Sequence, residues 1–235
     1  MSITTRLKAG VKAALGRPAV PIHNLPSISQ AGTLRTVYFH ECLKKVAHLD
    51  GSLVECGVGQ GYGLCTWLTL TALEPKQRVI WAFDSFEGFP KFAKEDETTA
   101  VREAGYAQYK QFDLLYVFNT MKSFGLSPAE INRRISFAKG FIPQSLNLYD
   151  KSPVALLHLD LDIFEPYRDA LDFFWEFVVP GGVVMFDEYN KALDIFKFPG
   201  AQKAINDFLD ARNLRGALRK DTTYGNVYIQ KPDIA

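Results

Sequence analysis

Four glycines stand at alternate positions directly after a short apolar run, in the stretch VECGVGQGYG between Val54 and Gly63. Glycine weakens strands and helices, so such a cluster indicates a tight turn, a close backbone approach or a bound ligand. A predicted helix, YGLCTWLTLTAL, follows the glycines. In an open α/β sheet, ligands bind beyond the carboxyl ends of the strands, where the strand order reverses. The stretch therefore predicts a ligand-binding turn between a strand and a helix.

The spacing of these glycines excludes two common phosphate-binding loops. A dinucleotide fingerprint needs G-x-G-x-x-G, and in the two possible registers the third glycine would fall on Tyr62 or Leu64. A Walker A loop needs Gly-Lys-Ser/Thr after the glycines, and none follows. What remains is an acidic residue followed by G-x-G-x-G, from Glu55 to Gly61.

A further acidic residue ends the next apolar run. VIWAFD is a predicted strand that ends in Asp84. A carboxylate at this position can accept hydrogen bonds from both hydroxyls of a ribose, in a charge-assisted arrangement. A glycine-rich turn alone is a weak indication, because many such turns carry glycine for steric reasons only. Together with the acid at the end of the second strand, the turn favours a bound cofactor.

Acidic residues also follow two later apolar runs, HLDLD and FDEY. They are Asp160 and Asp162 in the first run, and Asp187 and Glu188 in the second. Neighbouring strands lie about 4.8 Å apart, so these carboxylates would converge on one small volume. Converging carboxylates repel one another, and a hard divalent cation such as Mg²⁺ would hold them ionised. The pattern predicts a magnesium site that binds an acceptor hydroxyl and lowers its pKa.

Each acidic residue also has a role that does not involve a metal. Asp162 is placed to cap the helix that starts near Pro166, and Glu188 can face solvent. Acids in a cleft can also act as general bases without a metal. His158 shares strand parity with the two aspartates of its run, and we favour a histidine satisfied by a neighbour over a histidine ligand.

The order of predicted elements gives the fold class. Apolar runs predict strands at 52–57, 78–84, 134–140, 154–162 and 181–189, and helices fit between them. Such alternation implies a parallel sheet with helices on both faces. The C-terminal segments GALRK and YGNVYIQK resemble a β-hairpin. We therefore expect one doubly wound, Rossmann-like α/β domain with a mostly parallel sheet and a C-terminal antiparallel hairpin.

This domain is expected to span residues 33–235, after a proline-rich N-terminal arm at 1–32. Residues 85–133 are too many for a bare loop. They contain a charged stretch, KFAKEDETTAVRE, and a predicted helix, YKQFDLLYVFNTMKSFG. A mobile cover over the site and a simple helical insertion both fit this segment.

Composition and charge exclude several classes of protein. With 235 residues, 47% of them hydrophobic and 23% charged, the chain is typical of a globular protein. A net charge of +1 indicates no nucleic-acid or membrane partner, and no apolar run reaches the roughly 18–20 residues of a membrane span. The cysteines Cys42, Cys56 and Cys65 form no CxxC pair, which argues against a disulfide framework. We expect a reduced, cytoplasmic protein. The sequence does not fix the oligomeric state, and a homo-oligomer is compatible with it.

The chain resembles the macrocin O-methyltransferase family of class I S-adenosylmethionine-dependent methyltransferases. Six phrases carry the resemblance: VECGVGQG, FDSFEGFP, KGFIPQSL, LHLDLDIFEPYRDAL, PGGVVMFDEYN and PGAQKAINDFL. The resemblance implies S-adenosylmethionine and Mg²⁺ as cofactors and a sugar hydroxyl as acceptor. It implies cofactor contacts from Glu55, Gly57, Gly59, Gly61, Asp84, Ser85 and Phe86. It implies a metal held by Asp160, Asp162, Asp187 and the next acid, Glu188.

Two phrases depart from the family pattern. The family usually reads Asp-Asp-Tyr where this chain reads Asp187-Glu188-Tyr189. Glutamate is longer by one methylene, which implies either a rearranged site or a glutamate that is not a ligand. The phrase Gly140 to Ile142 is Gly-Phe-Ile in place of a Gly-Trp-Phe-like phrase, which concerns the acceptor pocket.

We expect an S-adenosylmethionine-dependent O-methyltransferase, assisted by Mg²⁺, that methylates a hydroxyl of a sugar or another small natural-product acceptor. Asp160, Asp162 and Asp187 would be its catalytic residues. Two alternatives stay open: another nucleotide-cofactor-dependent enzyme on the same sheet, such as an oxidoreductase, and a non-catalytic cofactor-binding protein. A titration with NADH separates the first alternative, and replacement of Asp160 or Asp187 by alanine separates the second.

Overall fold

The computed structural model describes residues 29–97, 111–189 and 198–232. Apolar runs form the central strands, because strands buried on both faces of a parallel sheet need apolar residues at nearly every position. In chain order the strands are β1 (Ser52–Cys56), β2 (Ile80–Asp84), β3 (Ile135–Lys139), β4 (Val154–Leu159), β5 (Val178–Phe186), β6 (Leu218–Lys220) and β7 (Val227–Gln230).

These strands form one sheet in the order β3-β2-β1-β4-β5-β7-β6. Strands β1 to β5 run parallel, whereas β7 pairs antiparallel with β5 and with β6. The direction of winding reverses between β1 and β4, and ligands of open α/β sheets bind at such a point.

Three of the described helices begin at side chains that cap them. Ser29, Asp113 and Ser127 each accept a backbone N–H bond in the first turn of a helix, as preferred N-cap residues do.

Among the described residues, no helix is both long and apolar enough to cross a membrane. The helices are α1 (Gln30–Val46), α2 (Tyr62–Thr71), α3 (Leu114–Ser123), α4 (Pro128–Arg134), α5 (Phe164–Trp175) and α6 (Pro199–Ala211).

Helices cover both faces of the sheet and create two hydrophobic cores. Helices α1 to α4 pack on one face, around residues such as Phe39 and Trp67. Helices α5 and α6 pack on the other face, around residues such as Tyr167. Strand β1 supplies Leu53 to the first core and Val54 to the second, because successive side chains of a strand point to opposite faces. The three cysteines are free and buried in these cores.

The predicted fold class is confirmed, with differences in detail. Strand β4 ends at Leu159, so the aspartates predicted to end this strand lie in the loop after it. Helix α4 was not predicted, because its seven residues are too few to show a helical period. Helix α1 begins at Gln30, three residues before the expected start of the domain at residue 33. Residues 1–28 of the predicted arm and residues 98–110 of the predicted insertion lie outside the described residues.

The insertion after β2 is tied to helix α5 through Asp96. This carboxylate is buried, and its Oδ1 accepts a hydrogen bond of 2.8 Å from the backbone N–H of Phe164, the first residue of α5. The side chain of the N-cap residue, Ile163, makes no capping bond. The alternative role considered for Asp162, as the cap of this helix, is therefore wrong. Gly200 permits the close approach, since a Cβ there would lie 1.7 Å from the Asp96 oxygen.

Candidate active site

A cavity of about 390 Å³ opens at the carboxyl ends of the parallel strands. It lies over β1 and β4, where the direction of winding reverses, as expected for an open α/β sheet. The loops after all five parallel strands contribute to its wall. Its polar and glycine lining includes Arg35, Glu55, Gly57, Gly59, Asp84, Ser85, Asp160, Asp162, Asp187 and Glu188.

The glycine turn brings the end of β1 against the loop after β4. Gly57 has φ +88°, and a Cβ at this position would lie 1.7 Å from the carbonyl oxygen of Asp160. Gly59 has φ +51°, but a Cβ there would meet nothing within 4 Å. The first glycine is therefore required by a close backbone approach, whereas the second leaves open space beside the cavity.

Asp84 holds the glycine turn in place. Its Oδ2 accepts hydrogen bonds from the backbone N–H groups of Val58, at 2.8 Å, and Gly59, at 3.1 Å. Its Oδ1 accepts a third, of 2.7 Å, from the N–H of Phe86. Burial raises the pKa of Asp84, and the three backbone donors act in the opposite direction. Asp84, at the end of β2, thus holds the glycine turn that follows β1.

Glu55 and His158 form a buried pair behind the turn. His158 Nδ1 lies 3.1 Å from Glu55 Oε1, and both residues are only 1% exposed. Nδ1 of the histidine thus has a neighbour as its partner, as favoured from the sequence, whereas the buried Nε2 has none among the described residues. The second glutamate oxygen, Oε2, has no hydrogen-bond partner among the described residues. Burial raises the pKa of Glu55, and His158 opposes this rise.

Replacing Glu55 by glutamine is expected to change how stability depends on pH. Because the pKa of Glu55 is raised in the folded state, its contribution to stability is fully present below the unfolded pKa of about 4.3. That contribution is lost as the pH rises through the folded pKa. Glutamine does not titrate, so the free energy of unfolding of the wild type should fall relative to that of Glu55→Gln with rising pH.

Chemical denaturation at a series of pH values measures this difference directly. Glu41, whose side chain is 44% exposed on α1, provides the matched control, and the pH dependence measured for Glu55→Gln is read against that of Glu41→Gln. A wild type that gains stability relative to Glu55→Gln with rising pH would contradict the prediction.

The loops after β4 and β5 gather three carboxylates. One oxygen each of Asp160, Asp162 and Glu188 lie within 4.8 Å of one another. Glu188 is 2% exposed, and neither of its oxygens accepts a hydrogen bond from a described residue. Burial raises the pKa of Glu188 well above its ordinary value, and the neighbouring aspartates raise it further. The alternative in which Glu188 faces solvent is therefore wrong.

Asp187 belongs to the same region but has different partners. Its Oδ1 accepts a hydrogen bond of 3.1 Å from the side-chain amide of Asn226. It also lies 3.4 Å from the guanidinium of Arg35, which approaches Asp160 at 2.9 Å. One ligand atom each of His158, Asp160 and Asp187 lie within 4.8 Å of one another. Asp160 is thus shared between the two groups.

Arg35 is the residue at this site that the sequence did not indicate. Burial would lower the pKa of Arg35, but the charges of Asp187 and Asp160 outweigh it and raise that pKa overall. Burial would raise the pKa of Asp160, but Arg35 and its other polar neighbours together outweigh burial, so the pKa is lowered. A single arginine within a helix carries no motif, and 125 residues separate it from Asp160.

Three of the predicted cofactor residues have their contacts outside the turn itself. Gly61, with φ +88°, starts α2, and a Cβ there would lie 2.9 Å from the side chain of Val117. Ser85 lines the cavity, and its hydroxyl donates to the carbonyl of Gly88. The ring of Phe86 is buried in the first core, so this residue faces Asp84 through its backbone N–H.

The chain is similar to known proteins along most of its length. Residues 22–231 match the family model described as Macrocin-O-methyltransferase (TylF). The chain belongs to this family. Solved structures show the same fold as this TylF-family chain. It aligns with the O-methyltransferase NovP at a TM-score of 0.72 and 20% identity, over 98% of this chain and 99% of the other. It aligns with the calicheamicin methyltransferase CalS11 at a TM-score of 0.70 and 23% identity, over 97% of this chain and 93% of the other.

Curated relatives of this TylF-family chain are named as O-methyltransferases. Mycinamicin III 3''-O-methyltransferase of Micromonospora griseorubida is 25% identical over 71% of this chain and 63% of the relative. Demethyldecarbamoylnovobiocin O-methyltransferase of Streptomyces niveus is 28% identical over 67% of this chain and 61% of the relative. The matches thus span less than two thirds of the length of these relatives.

Proposed function

We propose that the chain is an S-adenosylmethionine-dependent O-methyltransferase that methylates a hydroxyl of a sugar or another small natural product, with assistance from Mg²⁺. One observation carries the proposal. The glycine turn, Asp84 and the carboxylates after β4 and β5 line a single cavity of about 390 Å³. A cofactor and an acceptor bound there would lie side by side, and such positioning is a large part of catalysis by group-transfer enzymes.

The cofactor half of the cavity would be formed by Gly59, Asp84 and Glu55. A carboxylate has about four lone-pair sites, and the backbone already uses three of those on Asp84. One site is left, which can accept a hydrogen bond from one ribose hydroxyl. The sequence predicted that Asp84 contacts both hydroxyls of the ribose. The free Oε2 of Glu55 would accept a hydrogen bond from the cofactor's ammonium group. When bound, the cofactor supplies a methyl group made electrophilic by its sulfonium sulfur.

The acceptor half would be formed by the carboxylate cluster. An all-oxygen set of donors fits Mg²⁺, and the unpartnered oxygens of buried Glu188 are explained if a cation binds beside them. Asp160, Asp162, Asp187 and Glu188 would hold the ion. When bound, Mg²⁺ supplies a lowered pKa for the acceptor hydroxyl and a fixed orientation toward the methyl group.

Apolar residues on the cavity wall would exclude water from the transfer. They are Phe89, Phe112, Phe141, Ile142 and Phe198. Charge interactions are stronger in a site from which water is excluded. The names of the relatives, which include methyltransferases of mycinamicin III and of a demethyldecarbamoylnovobiocin, support a hydroxylated natural product as acceptor. The three free cysteines agree with a reducing, cytoplasmic compartment.

The first test is isothermal titration of the whole protein with S-adenosylmethionine and S-adenosylhomocysteine, with and without Mg²⁺. We expect binding of either in the micromolar range, about −8 kcal/mol, and methylation of a hydroxylated sugar acceptor detected by mass spectrometry. NADH serves as the matched ligand for the oxidoreductase alternative and should not bind. Failure of both sulfur compounds to bind would exclude the proposed function.

A further inference from the structure

We propose that Arg35 competes with the divalent cation for Asp160 and Asp187, and thereby sets the affinity of the site for metal. The inference rests on the proposed Mg²⁺-assisted function but concerns a residue that this function does not use. It makes Arg35 a positioning residue that acts through the carboxylates.

The guanidinium of Arg35 links carboxylates from the loops after two strands. Its Nη2 lies 2.9 Å from Oδ2 of Asp160 and 3.4 Å from Oδ1 of Asp187. The group also lies over the ring of Phe39, 5.2 Å from its centroid. The long side chain reaches from α1, on one face of the sheet, to the loops after β4 and β5.

This position conflicts with a metal ion bound to the same two aspartates. A carboxylate oxygen that coordinates a cation uses lone pairs that a guanidinium hydrogen bond also needs. Two cations at the same pair of carboxylates also repel each other, strongly where water is partly excluded. Glu188 does not share this conflict, since no ion pair joins it to Arg35 among the described residues. The metal must therefore displace Arg35 from Asp160 and Asp187, or bind without them.

Displacement of Arg35 requires movement of one side chain only. Helix α1 is held to the sheet by buried residues, among them Phe39, Cys42 and Val46. The side chain of Arg35 is 30% exposed, so its end can move toward solvent while the helix stays in place. Without metal, the guanidinium neutralises part of the charge of the cluster.

Isothermal titration of chelator-treated whole protein with MgCl₂ tests the proposal. We expect Arg35→Gln to bind Mg²⁺ about tenfold more tightly than the wild type, or better still, because the competing cation is gone. Arg212→Gln is the matched control. Arg212 pairs with Asp172, lies over the ring of Phe208 and is 31% exposed, but it does not line the cavity. Its replacement should leave Mg²⁺ affinity unchanged.

A second variant protects the test against loss of folding. Arg35→Lys keeps the charge but loses the planar fork of the guanidinium, and should bind Mg²⁺ with an affinity between those of the wild type and Arg35→Gln. Equal or weaker binding by both variants would overturn the proposal, as would absence of Mg²⁺ binding in every variant. Titration of the same samples with S-adenosylmethionine separates these outcomes from failure of the proposed function, which would abolish cofactor binding as well.

Discussion

Replacement of Asp187 by asparagine is expected to lower methyl-transfer turnover about a thousandfold and to change S-adenosylmethionine affinity by less than about threefold. Asparagine keeps the shape of the side chain and removes its charge. A metal ion contributes several kcal/mol of charge stabilisation to a transition state, and each 1.36 kcal/mol corresponds to a factor of ten in rate. The proposed cofactor residues Glu55 and Asp84 belong to other strands, so their contacts should persist.

Single-turnover kinetics with saturating cofactor would measure this effect. Asp207→Asn is the matched control, because Asp207 pairs with Lys203 on the exposed side of α6 and is 55% exposed. Its turnover should equal that of the wild type. Retention of full turnover by Asp187→Asn would contradict a role for this carboxylate in holding the metal. Loss of cofactor binding would instead indicate that Asp187 supports the shape of the whole cavity.

Replacement of Gly57 by alanine is expected to lower the free energy of unfolding by about 2–5 kcal/mol. Two costs add at this position. A residue with a Cβ is strained at φ +88°, by roughly 1–2 kcal/mol. The new Cβ would also lie 1.7 Å from the carbonyl oxygen of Asp160, and relieving such an overlap in a packed region costs typically about 1–3 kcal/mol. The loop after β4 must then move, and the carboxylate of Asp160 moves with it.

Gly59→Ala is the matched variant in the same turn. Its Cβ would meet nothing within 4 Å at φ +51°, so only the backbone strain of about 1–2 kcal/mol remains. Chemical denaturation should therefore rank the variants with Gly57→Ala clearly the less stable. Equal losses would show that strain, and not the approach of Asp160, accounts for the first glycine. Metal titration of the refolded variants should show weakened Mg²⁺ binding for Gly57→Ala alone.

The features that the sequence predicted are those with a local signal. Apolar runs marked the five parallel strands, and the acids after them, such as Asp84 and Asp160, marked the carboxyl end of the sheet. The end of β4 at Leu159 was missed, because the alternation of HLDLD continues beyond the last sheet pairing. Helix α4 was also missed, because its seven residues make fewer than two full helical turns and so show no repeating pattern.

The features that could not be predicted depend on contacts between distant parts of the chain. Arg35 meets Asp160 across 125 residues, and Asp96 caps α5 across 68 residues. Asn226 holds Asp187 across 39 residues. A single arginine, aspartate or asparagine carries no periodic signal, so only the packing of α1, of the insertion and of β7 against the sheet gives each of them its role.

The position of β1 between β2 and β4 has a consequence for synthesis and folding. Its residue Ser52 pairs with Val154 in β4, so the central strand lacks one neighbour until β4 has left the ribosome. Asp187 gains its amide partner only when Asn226 has been made. Pairings this distant in sequence slow folding, because a long loop must close before the contact forms. During that interval the edge of the apolar strand β1 is exposed. Because the cavity is lined by residues that follow all five parallel strands, it can bind a ligand only after all five have been made and paired.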